Sequence, residues 1–555
     1  MARPRFRALV WKKMTTIPTD KAARHENVFR VLFVSIVLLV GWLLWAHGAP
    51  VQRVFPWDLP VLLEGAWRVF QGQIPFVDFH TQLGPVTYFI IALGMRLTGP
   101  CVGAIACGNA IMFVALSAWA WGLGRARMSS SFKFLFALCV GFTVAGTACH
   151  GYRFIDTSYA SMYDRYGEAF MALILLESFG RVRQPGGWWT SLAGGFSSGA
   201  VLVLLFFLKL DFFGIAAMAI AAGAVLRSYP RSRWIGLALG TLLVMGLMLA
   251  YLRFDLPALK DSLILTVAPR LGRIRSDLPA IILNRMPWAP IYMMAALWWI
   301  APTPERASRA WINPKMEQGL MVLCIVLAQF VLFCTCGQPP VPILFSFAAL
   351  LLLQARHEQS PGDAKMGLQK VDAGPTSSAA WQSACLLAAF LIGSMLLHDM
   401  ASVAYSTYRD RMAAPRCRFA SSSMADMIVT RYPDYVEEVN DGFELLRKHS
   451  KPSDRVFAMT MSNPFPFGLL RPCPKGQTGG LDPTITFSRS AHLDPERLFA
   501  DVSVVMVPRC ESLKAPDVEP ASLLLKSLME VYGTTFSKYF TQAAQSEYWV
   551  LYRCK

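Results

Sequence analysis

Charged residues are scarce in this chain. Asp, Glu, Lys and Arg make up 16% of its 555 residues, whereas hydrophobic residues make up 54%, and the mean hydropathy is +0.40. Apolar runs close to the roughly 20 residues that a membrane-spanning helix needs recur along the chain. This composition excludes a soluble globular protein and predicts a polytopic α-helical membrane protein with room for a soluble domain.

Several functional signatures are also missing. The sequence contains no P-loop, so no motif supports ATP-driven transport. It also contains no nucleophile elbow and no zinc-protease motif, so no motif supports hydrolysis by an enzyme of either type. No internal repeat with a fixed period is visible, which argues mildly against inverted-repeat transporter folds. The net charge is +17, but most Lys and Arg residues lie in short clusters between apolar runs. Such clusters indicate topology and contacts with anionic lipid headgroups, and we expect no nucleic-acid partner.

Placing the basic clusters in the cytoplasm predicts the topology. Residues 1–28 form a basic cytoplasmic tail, residues 29–400 form about eleven spans with an external loop at 47–101, and residues 401–555 form a soluble extracytoplasmic α/β domain. The predicted location is the inner (plasma) membrane of a bacterial-type cell, with a cytoplasmic N-terminus. The predicted spans are Phe29–Ala46, Val102–Leu123, Phe134–Cys149, Ala169–Phe179, Leu192–Leu208, Phe212–Leu226, Ile235–Leu252, Trp288–Ile300, Leu320–Cys334, Ile343–Leu353 and Ala380–Leu397.

Two segments complicate this topology. Val86–Gly99 is apolar but short, so we interpret it as an interfacial helix. Arg253–Arg285 is rich in Arg and is predicted outside, against the charge rule. Either the topology is wrong by one span, or this basic segment faces an anionic partner such as a lipid phosphate.

Four cysteines fall in the predicted external domain, where disulfides are permitted. They are Cys417, Cys473, Cys510 and Cys554. The sequence does not choose among their possible pairings.

The segment Trp57–Pro85 concentrates ionisable groups between two apolar stretches. It carries Asp58, Glu64, Asp78 and His80. A carboxylate at a membrane edge is costly, so it indicates function. Asp58 is suited to act as a general base, or alternatively as the N-cap of a helix that begins at Pro60. Asp78 and His80 are candidates to share a metal or a phosphate, or alternatively are a turn-stabilising Asp beside a solvated His.

Further candidates follow along the chain. Asp164 and Arg165 are candidates for sugar or phosphate recognition, or alternatively for a salt-bridged pair that closes the helix bundle. Lys209 is suited to hold a phosphate as a point charge, and Arg270 and Arg273 to hold it by bidentate hydrogen bonds. The alternatives are that Lys209 only extends to the interface and that the arginines face headgroups.

One stretch resembles a known family. An acidic residue soon after the first span is followed by an amphipathic helix that ends in QGQIPFVDF and by a Gly-Pro that leads into an apolar helix. Pro56–Leu97 thereby resembles the first external loop of the GT-C glycosyltransferase superfamily, which includes protein O-mannosyltransferases and lipid A aminoarabinose transferases. The resemblance implies an enzyme that takes a sugar from a polyprenyl phosphate carrier on the outer side of the membrane. It maps the loop acid of the family onto Asp58. Many members have a second acid directly after the first, whereas this chain has Leu59, so dependence on Mg²⁺ or Mn²⁺ is not established.

The sequence therefore predicts transfer of a sugar from a polyprenyl-phosphate donor to an unidentified glycan, lipid or protein acceptor. Membrane lipids are further expected partners. The alternatives are a lipid or polysaccharide transporter without glycosyl transfer and a structural or sensory membrane subunit. A transporter is expected to show two related halves around a midplane cavity, whereas the enzyme is expected to show an external cleft.

Overall fold

A computed structural model describes most of the chain. It covers residues 17–49, 51–149, 152–160, 162–180, 187–280, 375–408, 417–482, 486–509 and 521–555, together with residue 182 and short pieces between residues 291 and 351. The predicted spans Trp288–Ile300, Leu320–Cys334 and Ile343–Leu353 lie largely outside the described residues. So do most of the predicted cytoplasmic tail and of the linker that precedes the last span.

Apolar helices make up the first part of the protein. They are α1 (Ile17–His47), α2 (Asp58–Phe70), α3 (Pro85–Thr98), α4 (Gly103–Gly124), α5 (Ser130–Ala145), α6 (Met162–Phe179), α7 (Trp188–Phe206), α8 (Leu210–Arg227), α9 (Arg231–Tyr251), α10 (Leu256–Ala280) and α11 (Pro375–Tyr408). Within the described residues, six helical stretches are long and apolar enough to cross a membrane: Arg24–His47, α4, α7, α8, α9 and Cys385–Thr407. The protein is therefore an integral membrane protein, and the total of about eleven spans stays a prediction.

Glycines bring α7 and α9 into close contact. A Cβ atom added at Gly195 or Gly199 would lie 2.1 or 2.2 Å from a backbone oxygen of α9. The reciprocal positions Gly236 and Gly240 would clash with backbone oxygens of α7 at 2.0 and 2.2 Å. Both helices thus carry two small residues four positions apart, the spacing that lets membrane helices pack backbone to backbone.

Helix boundaries agree with most of the predicted spans, and one prediction is wrong. The fourth predicted span begins at Ala169, but α6 already begins at Met162 and carries Asp164 and Arg165. A helix that carries both charges is tolerated inside the bundle because each charge has a partner of opposite sign. Asp164 forms an ion pair with Lys209, and Arg165 forms one with Asp399 of α11.

The C-terminal part is an α/β arrangement. Its elements are β1 (Cys417–Arg418), β2 (Ile428–Val429), α12 (Pro433–His449), β3 (Val456–Ala458), α13 (Phe465–Gly468), α14 (Pro495–Phe499), β4 (Val504–Pro508), α15 (Ala521–Tyr539), β5 (Phe540–Gln545) and β6 (Trp549–Cys554). The main sheet has the order β3-β4-β6-β5, in which β3 and β4 are parallel and the other pairs antiparallel.

The sequence predicts strands at RVFAMTM, VSVVMVP and EYWVLYRC and a helix at PASLLLKSLMEVYG, and the structure has β3, β4, β6 and α15 there. It differs in two places. The segment that starts at Ser423, SMADMIVTRYPDYVEEVNDGFELLRKH, is predicted as one helix, but α12 begins only at Pro433, because Ile428 and Val429 pair with β1. The mostly exposed strand β5 was missed, since FTQAAQ shows no apolar alternation.

The C-terminal elements share a hydrophobic core with the membrane part. Phe443, Phe465 and Trp549 belong to the same buried cluster as Leu63 and Trp67 of α2. The range 401–555 as a soluble domain stays a prediction, but its packing is continuous with α2. No disulfide joins Cys417, Cys473 and Cys554, and Cys510 lies outside the described residues.

Candidate active site

The helix α2 begins at Asp58. The N-cap residue is Trp57, so Asp58 is the first helical residue, and its predicted role as N-cap of a helix from Pro60 is wrong. A carboxylate in the first turn interacts favourably with the positive end of the helix dipole. The ring of Trp57 packs edge-on against Tyr432 and Tyr435, with centroids 5.2 and 6.3 Å apart. The C-terminal part thus forms a wall beside Asp58.

Asp58 is adapted to exchange a proton near neutral pH. Asp58 is half-buried next to Trp57, which contacts Tyr432 and Tyr435. Protein atoms therefore replace part of the hydration shell of its carboxylate. This desolvation raises the pKa of Asp58 to about 7, and the neighbouring Asp482 contributes in the same direction. A carboxylate with such a pKa is a stronger base than an ordinary aspartate.

A second buried acid lies two turns further along α2. Oε1 of Glu64 accepts hydrogen bonds from Nη2 of Arg68 at 2.7 Å and from Nδ2 of Asn463 at 3.3 Å. Oε2 has no hydrogen-bond partner among the described residues, and burial raises the pKa of Glu64 to about 7. Glu64 therefore connects α2 to the C-terminal part. The sequence alone does not predict this role, because the partner Asn463 lies 399 residues away.

Asp78 and His80 have different partners. Oδ2 of Asp78 accepts from the backbone N–H of Ile74 at 2.8 Å, and Oδ1 pairs with Lys475 at 3.0 Å. His80 is 1% exposed, which corrects the interpretation of a solvated His. Its Nδ1 lies 3.4 Å from Oγ of Ser262, and burial lowers its pKa to about 3, so the ring is neutral.

Lys209 and Arg270 converge on one cleft. Nζ of Lys209 lies 2.8 Å from Oδ1 of Asp164 and 3.7 Å from Oδ2 of Asp211, and Nη1 of Arg270 lies 3.8 Å from the same Asp211 oxygen. Lys209, Asp211 and Arg270 border an opening of about 120 Å³ that Thr81 also lines, which we call the cation cleft. Lys209 and Arg270 thus border the same cleft, and Asp58 is not among the residues that line it.

The chain positions Lys209 by a break between two helices. Helix α7 ends at Phe206 and α8 begins at Leu210, which leaves Lys209 at the N-cap of α8. Gly84 holds the loop between α2 and α3 against this break. Its N–H donates to the backbone oxygen of Leu208 at 3.0 Å, and a Cβ atom at this position would lie 1.8 Å from the oxygen of Phe207.

Two carboxylates balance the two cations of the cation cleft. The Asp211 contacts of Lys209 and Arg270 exceed hydrogen-bond length, so they are weaker than the Lys209–Asp164 contact. The N-terminus of α8 adds partial positive charge at the same place. Asp211 is therefore the more weakly held partner of both cations, whereas Asp164 pairs closely with Lys209.

Comparison with known proteins rests on structure alone. No protein-family model matches the chain, and no curated protein matches its sequence. Among solved structures, ArnT from Cupriavidus metallidurans bound to undecaprenyl phosphate matches over 95% of this chain and 98% of that chain, with 14% sequence identity and a TM-score of 0.50. The chain has the fold of ArnT. The apo state of ArnT gives a TM-score of 0.45 at 15% identity, with the same coverage.

ArnT is an aminoarabinose transferase of the GT-C superfamily, so the fold expected from residues Pro56–Leu97 is confirmed. In this chain, α2 begins with the acid Asp58, and Gly84 and Pro85 lead into the apolar helix α3. At 14% identity the likeness transfers the fold and no individual residue role.

Arg165 is a structural contact within the helix bundle. Arg165 is 2% exposed, and its guanidinium donates to Asp399 at 3.0 Å and to the backbone oxygens of Thr143 and Ala148. These contacts hold α5, α6 and α11 together. The side chain of Arg273 lies outside the described residues.

Tyr88 links α2 to the cation cleft. Its hydroxyl lies 2.6 Å from Oγ1 of Thr81, which lines the cleft, and its ring fills the space beside Gly65 of α2. A Cβ atom at Gly65 would lie 2.1 Å from this ring. The helix that begins with Asp58 and the loop that borders Lys209 therefore pack as one body.

Proposed function

We propose that this protein transfers a sugar from a polyprenyl-phosphate donor to an acceptor at the extracytoplasmic face of the membrane, as a GT-C-type glycosyltransferase. The ArnT fold carries the proposal, because ArnT has been crystallised with undecaprenyl phosphate. The cation cleft and the proton affinity of Asp58 supply the two chemical functions that this reaction needs.

The proposed reaction is a single displacement. Asp58 accepts the proton of an acceptor hydroxyl while the oxygen of that hydroxyl forms a bond to the anomeric carbon of the sugar. The bond from that carbon to the phosphate oxygen breaks, and the oxygen keeps the electron pair. The carrier phosphate thereby gains one negative charge, which Lys209 and Arg270 stabilise in a preorganised site.

The remaining proposals concern placement and partners. We place the protein in an inner membrane, with the N-terminus cytoplasmic and the C-terminal part extracytoplasmic, so that both proposed sites face the carrier sugar. Asp78, His80, Asp164 and Arg165 act as supporting residues, and the arginine at position 273 is proposed as a further phosphate ligand. The described residues contain no group of three metal-ligating side chains that fits Mg²⁺ or Mn²⁺, and the proposed steps use none.

The test is transfer of a labelled sugar from a synthetic polyprenyl phosphate donor by the purified protein. We expect Asp58→Asn to lower the rate by roughly 100-fold or more, because a positioned general base contributes about that much. Glu444→Gln, at an exposed carboxylate of α12, is the matched control and should retain wild-type activity. Full activity of a normally expressed Asp58→Asn variant would show that the base assignment is wrong. Lipid movement across vesicles without any transfer would favour the transporter alternative.

A further inference from the structure

We propose that an opening at the C-terminal end of α1 is the acceptor site, and that it binds the sugar headgroup of an amphipathic glycolipid. We call it the rim opening. Its volume is about 610 Å³, within the range of roughly 300–1,000 Å³ that ligand sites occupy. It is lined by the last turn of α1, by Gly103 at the start of α4, by Ser406 and Thr407 of α11 and by Arg418 and Asp426 of the C-terminal part. This inference rests on the proposed function.

The rim opening lies at the same end of the membrane part as Asp58. Val51 and Ile428 both line it, and the chain continues from them in the same direction, as the parallel bridge between Gln52 and Val429 shows. Asp58 follows Val51 by seven positions, so the two residues lie at most about 25 Å apart. The second segment leads into the aromatic wall beside Asp58. An acceptor held in the rim opening is therefore able to extend toward the proposed base.

The rim opening is separate from the cation cleft. Among the described residues, none lines both. The cation cleft is formed by α10, the break between α7 and α8 and the loop between α2 and α3, whereas α1, α4, α11 and the β1–β2 segment border the rim opening. A single displacement needs the acceptor and the departing phosphate on opposite faces of the sugar. Two separate sites provide that arrangement.

The polar groups of the rim opening match a sugar. Oγ1 of Thr147 donates to the backbone oxygen of Ser402 at 2.9 Å, and Oγ of Ser406 donates to a backbone oxygen of its own helix at 2.9 Å. The hydrogens of both hydroxyls are thus used within the protein, and the oxygens keep lone pairs that accept from sugar hydroxyls. Arg418 and Asp426 are exposed and add one charge of each sign. Polar substituents of a sugar therefore find partners in the rim opening.

Helix α1 connects the rim opening to the bilayer. Trp45 lines the opening and is 55% exposed, and its ring suits the boundary between membrane and water. Leu38 and Trp42 are exposed on the preceding turns, on the same face of α1. They belong to the apolar stretch Arg24–His47, which is long enough to cross a membrane. The acyl chains of a headgroup in the rim opening can therefore lie along α1, and this path favours a glycolipid over a soluble glycan.

The binding experiment uses the full-length protein in phosphatidylcholine nanodiscs and a photoreactive dodecyl maltoside, which joins a sugar headgroup to one alkyl chain. We expect its crosslinks, mapped by mass spectrometry, within residues 43–49 and 418–428. A photoreactive dodecyl phosphocholine, which has the same chain without the sugar, should label these segments much less. Equal labelling by the two probes would show contact with bulk lipid only and would overturn the proposal.

Competition separates a glycolipid from a soluble sugar. An excess of unlabelled dodecyl maltoside should remove the crosslinks, whereas the same concentration of free maltose should leave most of them, because maltose lacks the contacts along α1. Equal competition by the two compounds would overturn the assignment of a membrane-attached ligand.

Substitutions localise the binding. Gly103→Phe should fill the rim opening and lose most of the crosslinking. A Cβ atom there meets only Sγ of Cys101 at 3.6 Å, so the backbone need not move. Gly122→Phe is the matched control, because it lies exposed on the same helix with nothing within 4 Å, and it should crosslink as the wild type does. The double variant Arg418→Gln, Asp426→Asn changes only exposed side chains and should also lose crosslinking. Wild-type crosslinking in this double variant and in folded Gly103→Phe would overturn the proposal.

Turnover of the synthetic polyprenyl phosphate donor separates this inference from the proposed function. Gly103→Phe leaves Asp58 and the cation cleft unchanged, so it should keep the wild-type rate at which water cleaves the donor. Its transfer of sugar to glycolipids extracted from the envelope of the source cells should fall roughly tenfold or more, because a filled opening excludes the headgroup. Absence of any donor turnover in the wild type contradicts the proposed function. Normal transfer by Gly103→Phe contradicts only this inference.

Discussion

Buried charge pairs organise the membrane part at the scale of single residues. The sequence identifies Asp164, Arg165 and Lys209 as candidates because charges interrupt apolar segments there. It does not give their partners, since Arg165 meets Asp399 234 residues later. For the same reason the neighbours Asn463 and Asp482 of α2 were not foreseeable from local pattern. The sequence thus predicts which charged residues are important, but it does not predict their partners.

The Lys209–Asp164 pair gives a prediction with an internal control. Lys209→Met should abolish transfer and destabilise the protein by roughly 3–5 kcal/mol, because Asp164 is left buried without its partner. Adding Asp164→Asn should restore much of the melting temperature without restoring activity, since the phosphate ligand is still missing. Thermal unfolding in detergent and the transfer assay measure the two effects. A double variant that regains activity would show that Lys209 serves only to neutralise Asp164.

At the scale of elements, close backbone contacts set the geometry. Hydropathy predicts most of the apolar helices, and the Gly84-Pro85 start of α3 is visible in the sequence. The reason for the glycine is not visible, because Phe207 approaches it from a helix break far along the chain. Likewise the start of α6 was misplaced, since its charged first turns look like a loop until their partners are known.

Gly84→Ala should impair the site through this contact. The added methyl group would overlap the oxygen of Phe207 and push the first external loop away from the α7–α8 break that carries Lys209. We expect a loss of stability of about 1–3 kcal/mol and a raised KM for the donor. Gly214→Ala in α8 has no atom within 4 Å of the new Cβ and should not destabilise the protein. Equal effects of the two substitutions would contradict the close-contact argument.

At the scale of the whole molecule, charge distribution predicts orientation. The sequence predicts a membrane protein with a C-terminal α/β part, and the structure contains both. The sequence does not show that the membrane part and the C-terminal part share one buried cluster, because the contacts between them are long-range. The orientation of this assembly in the membrane is still a prediction, and it has a direct test.

Cys554 reports the orientation. It is exposed near the C-terminus, whereas Cys473 is buried and burial raises the pKa of its thiol. A variant that keeps only Cys554 should react with a membrane-impermeant maleimide added to intact spheroplasts, as measured by a mass shift. A variant that keeps only Cys473 should react only after denaturation. Labelling of Cys554 only after lysis would place the C-terminal part in the cytoplasm.

The bond between Glu64 and Asn463 has a consequence for biosynthesis, since it spans 399 residues. A ribosome that adds about 5–20 residues per second needs roughly 20 to 80 seconds to make the intervening chain. During that interval α2 has been synthesised while its partner surface has not been translated. A chaperone or a transient lipid contact must then shield the exposed face of α2, and nonsense mutations late in the gene would leave it permanently uncovered.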